Sequence, residues 1–172
     1  MGSSLQVQLI NPATSQLPYT ITGQDILTNT CRVASRRGSE FAEPMDLLLG
    51  IADQAHGAGG AIIRELVRGE SEKLKISPYE YLKRKLGFTF GDTRTKPEQI
   101  RRTLLLEQVL QRSEELATSR KKNVVDTTDL LRAIFQVASN DPKVAELGVT
   151  SQVVEDEVSK YLSWLDRYRR VL

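Results

Sequence analysis

Hydrophobic and polar residues alternate along most of this chain with the spacing of amphipathic helices. Over 24–37 the apolar residues form two pairs seven positions apart, and Gly38 follows as a stop signal. Pro44 stands where a first helical residue is expected, and Asp46 falls in the first turn, where the helix dipole favours a negative charge. The pattern therefore predicts two consecutive helices, over 24–37 and 44–55.

The same reasoning predicts six further helices and no strand. Three of them are predicted over 61–67, with an end at Gly69, over 96–119 and over 151–168. The other three are a short helix that begins after Ser77 and Pro78 and stops at Gly87, a helix capped by Asp126, and a short helix from Pro142. Residues 57–60 are rich in glycine and are predicted to be a hinge, and 88–95 is predicted to be a loop.

Two nine-residue stretches have nearly the same pattern. Glu-Pro-Met-Asp-Leu-Leu-Leu-Gly-Ile at 43–51 matches Asp-Thr-Thr-Asp-Leu-Leu-Arg-Ala-Ile at 126–134, 83 residues further on. The match extends backward at apolar positions, and forward to Leu66 and Leu147 after a slip of two residues. Two copies of one folding unit would keep similar residues at the positions that form the core. The chain is therefore predicted to contain an internal duplication.

These elements predict an all-α protein of about eight helices, arranged as two pseudo-twofold related four-helix repeats. Residues 1–21 alternate weakly and contain two prolines, so they are predicted to form an extended arm. Residues 22–172 are predicted to form one domain. In this division repeat one covers 22–69, a connecting segment covers 70–95, and repeat two covers 96–168.

Composition and charge place the chain among ordinary folded proteins. Of its 172 residues, 40% are hydrophobic and 27% are charged. No stretch approaches the roughly 18 apolar residues that a membrane-spanning helix needs, so no membrane association is expected. The single cysteine, Cys31, is typical of a reducing compartment, and we expect a cytoplasmic protein. The formal net charge of +2 predicts no obligatory polyanionic partner.

The duplicated pattern resembles the amino-terminal domain of Clp-type AAA+ unfoldases. In that family each half carries a motif similar to Ala-x-x-x-Gly followed by Ile-x-Thr-Glu-His-Leu-Leu-Leu-Gly-Leu. The matching residues here are Ala34, Gly38 and 45–51 in the first half, and Ala117, 128–134 and 146–149 in the second. The resemblance covers about 22–165.

The resemblance implies a domain that recruits protein clients or adaptors to a Clp AAA+ ATPase or its peptidase. Binding is expected in the groove between the copies, where the duplicated loops would meet. Helix capping is the alternative role for the acidic candidates. The candidate protein-binding residues are the acids Glu43, Asp46, Asp126 and Asp129, with Tyr79 and Tyr81 as aromatic contacts.

One departure from the family motif concerns its Glu-His pair. Met45-Asp46 and Thr128-Asp129 stand in its place. In the family members that read phosphoarginine, this glutamate holds the guanidinium end of the ligand. We therefore do not expect phosphoarginine recognition.

A second departure lies in the connecting segment. Tyr79, Tyr81, Phe88 and Phe90 occur beside the basic run 83–85, and the family pattern does not account for them. We expect any specificity particular to this chain to lie here.

No catalytic, metal or cofactor site is predicted. The sequence lacks a Gly-x-x-x-x-Gly-Lys-Ser/Thr phosphate loop, and 57–60 has neither the lysine nor the hydroxyl that such a loop needs. Cys31 and His56 fall in different elements, so neither a zinc site nor a Cys-His nucleophile is expected. The chain is therefore expected not to be an enzyme.

Nucleic-acid binding is the alternative function. It would require the basic clusters to converge on one face, whereas cations near helix ends are expected to be solvated there. The run 125–131 also resembles the third helix of histone-like folds, a resemblance that leaves the glycines of 57–60 unexplained. The basic clusters are Arg36-Arg37, Lys83-Arg84-Lys85, Arg101-Arg102, Arg120-Lys121-Lys122 and Arg167-Tyr168-Arg169-Arg170.

Overall fold

Eight α helices make up most of the described chain. The structure is a computed structural model that describes residues 17–92 and 95–171. The helices are α1 (Ile21–Arg36), α2 (Pro44–Asp53), α3 (Ala58–Lys73), α4 (Pro78–Lys85), α5 (Leu104–Ser119), α6 (Thr127–Val137), α7 (Pro142–Ala145) and α8 (Ser151–Val171). The all-α prediction is confirmed. Among the described residues, no helix has the length and apolar character needed to span a bilayer.

Short polar side chains and prolines begin the helices where the sequence predicts them. Ser77, Asp126 and Asp141 each accept a hydrogen bond from a backbone N–H three residues further on. Proline occupies the first turn of α2, α4 and α7, where its missing N–H has no intrahelical partner to lose. These local signals fix the starts of the four helices.

Helix α3 differs from its prediction at both ends. It begins at Ala58, and it continues through Gly69 to Lys73 instead of ending there. A Cβ at Gly59 would lie 2.4 Å from the carbonyl oxygen of Thr127, so the predicted glycine hinge is in fact a helix start packed closely against α6. Glycine in a helix interior costs about 1 kcal/mol, which the packing of the buried face of α3 offsets.

The helix predicted from position 96 begins eight residues later. Pro97–Gln99 forms one turn of 3-10 helix, and Arg101–Arg102 forms a short strand, β2, before Thr103 caps α5. β2 pairs in parallel with β1 (Phe41–Ala42), which is also two residues long. The sequence predicts no strand here because two residues are too few to show an alternating pattern.

Tyr19 and Val125 form a second parallel bridge. It is equivalent to the pair formed by Arg102 and Ala42, because Tyr19 precedes Arg102 by 83 residues and Ala42 precedes Val125 by 83 residues. In each case the segment before the first helix of one copy pairs with the loop before the second helix of the other copy. The two copies therefore exchange these segments reciprocally, as a pseudo-twofold arrangement requires.

We call residues 18–20 and 101–103 the straps. The side chains of Thr20 and Thr103 cap α1 and α5, each accepting from a backbone N–H three residues on. Their own backbone N–H groups donate to carbonyls of the opposite loop at 2.9 and 3.0 Å. Helix α1 follows its strap directly, three residues earlier than predicted. Residues 1–16 of the predicted arm lie outside the described chain.

One hydrophobic core joins the two copies. Helix α1 packs on α2 and α5 packs on α6 as equivalent pairs, while α3 of the first copy lies against α6 and α8 of the second. Leu47 and Leu48 of α2 and Leu130 and Leu131 of α6 are fully buried. The later helices are unequal, because α3 has 16 residues and α7 has 4. The duplication is therefore best kept in the first two helices of each copy.

Candidate protein-binding site

An ion pair between Asp46 and Arg37 holds the N-terminus of α2. Arg37 donates from Nε to Asp46 Oδ1 at 2.8 Å and from Nη2 to Oδ2 at 2.7 Å. The backbone N–H of Glu43 donates to the same Oδ2 at 2.8 Å. The Asp46 carboxylate thus caps the helix and binds a bidentate guanidinium at once, and its side chain has no exposed surface.

The N-terminus of α6 repeats this arrangement with a lysine. Lys122 Nζ donates to Asp126 Oδ2 at 2.7 Å and to Asp129 Oδ2 at 2.9 Å. The backbone N–H of Asp126 donates to Asp129 Oδ2 at 3.1 Å, and the Asp129 side chain is fully buried. In both copies a cation from the end of the first helix therefore binds the acids that begin the second helix.

Burial and ion pairing shift the pKa values of these groups in different directions. Burial raises the pKa of Asp46, although the hydrogen bonds from Arg37 act to lower it. For Arg37, burial lowers the pKa, but the hydrogen bond and charge of Asp46 outweigh burial and the pKa is raised. Burial raises the pKa of Asp129. Burial also acts to raise the pKa of Asp126, but the hydrogen bonds from Lys122 and Thr128 together outweigh it and bring that pKa below the ordinary value. The pairing therefore stabilises the cation and Asp126, while Asp46 and Asp129 still carry a net cost of burial.

Two of the four acidic candidates present their carboxylates to solvent. The side chains of Glu43 and Asp126 are 30% and 35% exposed, whereas those of Asp46 and Asp129 are 0% exposed. All four acids take part in helix capping and ion pairing, and only Glu43 and Asp126 also reach solvent. Glu43 also contacts the second copy, because Lys143 Nζ on α7 donates to its Oε2 at 3.2 Å. Glu43 therefore lies at the junction between the copies.

The two candidate tyrosines on α4 have different surroundings. Tyr81 is 6% exposed and belongs to the core. Tyr79 is half-buried, and its ring, with those of Phe88 and Phe90, surrounds the ammonium group of Lys83. The Lys83 nitrogen lies 5.7 Å from the ring centroid of Tyr79, 5.5 Å from that of Phe88 and 5.6 Å from that of Phe90. These four residues are called the aromatic cluster below. Phe90 is 76% exposed, so one face of the cluster is open to solvent.

Sequence reasoning missed the cations of this site. Arg37 and Lys122 belong to basic clusters that are expected to be solvated, yet their side chains are only 14% and 26% exposed. Each precedes the acid that it binds, Glu43 by six residues and Asp126 by four. Because these spacings differ, aligning the repeats does not bring the two cations into register. A basic residue shortly before an acidic N-cap is the signal that could have identified them.

The remaining candidates for chemistry do not form a reactive group. Cys31 is half-buried, and burial raises the pKa of its thiol, which disfavours the nucleophilic thiolate. Within the described ranges, no three His, Cys, Asp or Glu side chains are placed to hold a metal ion. What the geometry offers a partner is hydrogen-bond acceptors at the copy junction and apolar surface at the aromatic cluster.

The comparisons with known proteins are consistent with this geometry. A family model described as the Clp repeat (R) N-terminal domain matches residues 18–143. A structure from preliminary structural investigations of a malarial protein secretion system aligns with a TM-score of 0.59 at 18% identity, covering 83% of this chain and 94% of that one. The N-terminal domain of the caseinolytic protease associated chaperone ClpD from Arabidopsis thaliana aligns with a TM-score of 0.54 at 14% identity, covering 86% and 96%.

At these identities the two structures establish a shared fold and nothing more. No curated protein shows a significant sequence match. The family match runs from the first strap to the start of α7, which includes the first copy and the first two helices of the second, and it spans well over half of the sequence. The chain therefore belongs to the Clp repeat (R) N-terminal domain family.

Proposed function

We propose that this chain is a non-enzymatic protein-interaction domain that recruits clients or adaptors to a Clp-type AAA+ ATPase or its peptidase. The observation that carries the proposal is the family match over residues 18–143, because it includes both duplicated stretches, 43–51 and 126–134. The partners we propose are proteins. The compartment we propose is the cytoplasm, since a chain with a single cysteine suits a reducing environment.

The binding surface that we propose lies at the junction of the copies, around Glu43 and Asp126. Their partly exposed carboxylates can accept hydrogen bonds from basic side chains or backbone N–H groups of a partner. Asp46 and Asp129 act as positioning residues, because each fixes the helix start that carries the exposed acid. The acidic candidates thus divide into two contacting and two supporting residues.

We propose the aromatic cluster as a further contact region, which supplies exposed apolar surface. Exposed aromatic side chains contribute strongly to protein interfaces, because they bury a large area with few rotatable bonds. Phe90 and Tyr79 are the candidates for contact, and Tyr81 supports α4 from the core. The connecting segment would then give the chain a specificity of its own.

Two contacts weigh against the nucleic-acid alternative. Arg37 and Lys122 come from two of the five basic clusters, and both are engaged in internal ion pairs. This lowers the positive charge that a polyanion could meet, in a chain whose net charge is already close to zero.

The test is a pull-down from native cell extract with the full chain as bait, followed by titration of the captured ATPase or adaptor in purified form. The double variant Glu43→Gln/Asp126→Asn removes two charges at nearly constant volume and should lose the partner. The matched control, Glu65→Gln/Glu70→Gln, removes two charges from the exposed side of α3 and should keep it. Circular dichroism verifies that both variants are folded.

Three outcomes decide the proposal. Loss of the same partner in Phe90→Ser would assign the aromatic cluster to the same surface. Equal capture by the wild type and by the acid variant would refute the junction surface. Recovery of duplex DNA in place of protein, with an affinity that falls steeply with salt, would overturn the recruitment role in favour of nucleic-acid binding.

A further inference from the structure

Helix α8 extends beyond the part that packs on the rest of the chain. It covers Ser151–Val171, which corresponds to about 30 Å at the usual helical rise. Its buried residues, Val154 and Val158, lie in the first half, and the helix contacts α3 and α6. From 159 to 171 none of its residues is buried. Tyr161 still packs against the core with part of its surface, and most other side chains of the second half are exposed.

That second half carries a ladder of aromatic rings. The ring centroids of Tyr161 and Trp164 are 6.1 Å apart, and those of Trp164 and Tyr168 are 5.6 Å apart with nearly parallel planes. Trp164 and Tyr168 are 52% and 54% exposed, and Leu162 is 37% exposed. Together with Leu165 these residues are called the α8 stripe below. Contiguous exposed apolar surface of this kind marks an interaction site.

The charges along α8 reverse sign about its centre. Three acids occupy 155–157 and three arginines occur within 167–170, while Lys160 and Asp166 lie closer to the middle. A second α8 running antiparallel about Ser163 would set opposite charges at the same height. The matched positions are Lys160 with Asp166, Glu157 with Arg169, and Asp156 with Arg170.

A parallel arrangement would have the opposite effect. It would place the acids at 155–157 beside the same acids, and the arginines beside the same arginines, at a cost in repulsion. The antiparallel alignment also sets Tyr161 level with Leu165 and Leu162 level with Trp164. The charges and the apolar residues thus favour the same alignment.

We propose that α8 pairs antiparallel with α8 of a second copy of this chain, forming a twofold symmetric dimer centred near Ser163. Charge complementarity selects this occupant, because a second α8 offers cations to Asp156 and Glu157 as well as acids to Arg169 and Arg170, whereas nucleic acid or an anionic membrane offers no cation. One stripe from each copy falls at the small end of protein interfaces, below about 1,200 Å² in total. The dimer is therefore reversible and depends on protein concentration.

The first experiment follows the mass and the fluorescence of the full chain as its concentration rises. Sedimentation velocity should show a shift from monomer to dimer. The emission of Trp164, the single tryptophan, should move to shorter wavelength as the stripe is covered. Trp164→Ser should weaken the self-association by about tenfold or more. The matched control Leu74→Ser replaces a 57% exposed residue beyond the end of α3 and should leave the dimer unchanged.

The second experiment tests the orientation of the helices by charge reversal. Arg169→Glu/Arg170→Glu makes both ends of α8 acidic, and Asp156→Arg/Glu157→Arg makes both ends basic. Each variant alone should stay monomeric, and an equimolar mixture of the two should recover the dimer. In a parallel pair like charges already face each other, so the first variant would associate as the wild type does.

Several results would overturn the proposal. A wild-type chain that stays monomeric at high concentration would do so, as would self-association that Trp164→Ser leaves unchanged. Failure of the mixed variants to associate would refute the charge pairing, since both variants keep the α8 stripe. Binding of α8 to lipid vesicles or to duplex DNA without dimer formation would assign the stripe to a different class of partner.

Discussion

Replacing Asp46 with alanine tests the view that a buried ion pair holds the start of α2. The Asp46 side chain has no exposed surface, receives two hydrogen bonds from Arg37 at 2.8 and 2.7 Å, and accepts the Glu43 backbone N–H at 2.8 Å. The substitution leaves a guanidinium that is 14% exposed without its bidentate partner. Unfolding should therefore become considerably easier.

The expected size of the effect follows from these contacts. Removing one member of a buried ion pair costs about 3–5 kcal/mol, and losing a helix cap costs about 1 kcal/mol. Arg37 keeps the Glu43 carboxylate and the Phe41 carbonyl as partners, so the cost of breaking the ion pair should be about 3 kcal/mol, the lower end of that range. We expect a loss of about 4 kcal/mol, a large part of the typical 5–15 kcal/mol of a folded domain. Asp129→Ala should cost about 2 kcal/mol, because Lys122 is more exposed and keeps Asp126.

Urea unfolding followed by circular dichroism measures these free energies without screening the charges. Asp46→Asn separates the two contributions, since its amide oxygen can still accept the cap hydrogen bond while the charge is lost. The double variant Arg37→Met/Asp46→Leu replaces both partners with apolar groups and should be more stable than Asp46→Ala. A loss below about 1 kcal/mol for Asp46→Ala, or a double variant that is no better than the single one, would refute the reasoning.

Three further predictions concern other parts of the fold. Gly69→Ala should stabilise α3 by about 0.5–1 kcal/mol, since no atom lies within 4 Å of a Cβ placed there. Gly59→Ala should destabilise the chain by about 1–3 kcal/mol, because its Cβ would meet the backbone of Thr127, and thermal unfolding compares the two variants. Burial raises the pKa of Tyr19 from 10.0 to about 12, so the folded state keeps a proton that the unfolded chain loses as pH rises. Stability is therefore complete below pH 10 and falls by about 2 kcal/mol toward pH 12, and Tyr19→Phe should remove this part of the alkaline loss in urea titrations. Arg132 pairs with Glu155 at 2.7 Å but buries its Nη1 without a partner among the described residues. Because Arg132→Leu removes this unpaired nitrogen along with the ion pair, it should change the free energy of unfolding by less than about 1 kcal/mol. Glu155→Leu leaves the buried guanidinium without its acid and should cost about 3 kcal/mol.

Local signals in the sequence predicted much of the fold. Ser77, Asp126 and Asp141 act within three residues of their own position, so the sequence around them is sufficient to place a helix start. The glycines behave differently. Gly59 is required because the backbone of α6, from the other copy, approaches it, and no local pattern carries that information. Helix α3 passes through Gly69 because tertiary packing outweighs helix propensity.

The candidate site was predictable to a smaller extent. The duplication identified the acids that begin α2 and α6, but it could not show which would be buried. Arg37 binds both Glu43 and Asp46 from the end of α1, yet Asp46 is hidden and Glu43 is partly exposed, a difference that depends on tertiary packing. Lys143 reaches Glu43 across 100 positions of sequence, and its basic character alone carries no sign of that contact.

The duplicated and the unduplicated parts of this chain have different roles. The straps and the capped starts of α2 and α6 occur in both copies, and the straps and the shared core fix one copy against the other. The proposed binding surface at the junction of the copies is therefore held by both copies, and ordering it for a partner would cost little entropy. The aromatic cluster lies on and after α4, and the α8 stripe extends past the last buried turn of α8; both lie outside the duplicated stretches at 43–51 and 126–134. Because the exposed rings of these two surfaces are not needed to fill the core, the specificity of this family member is expected to lie in them.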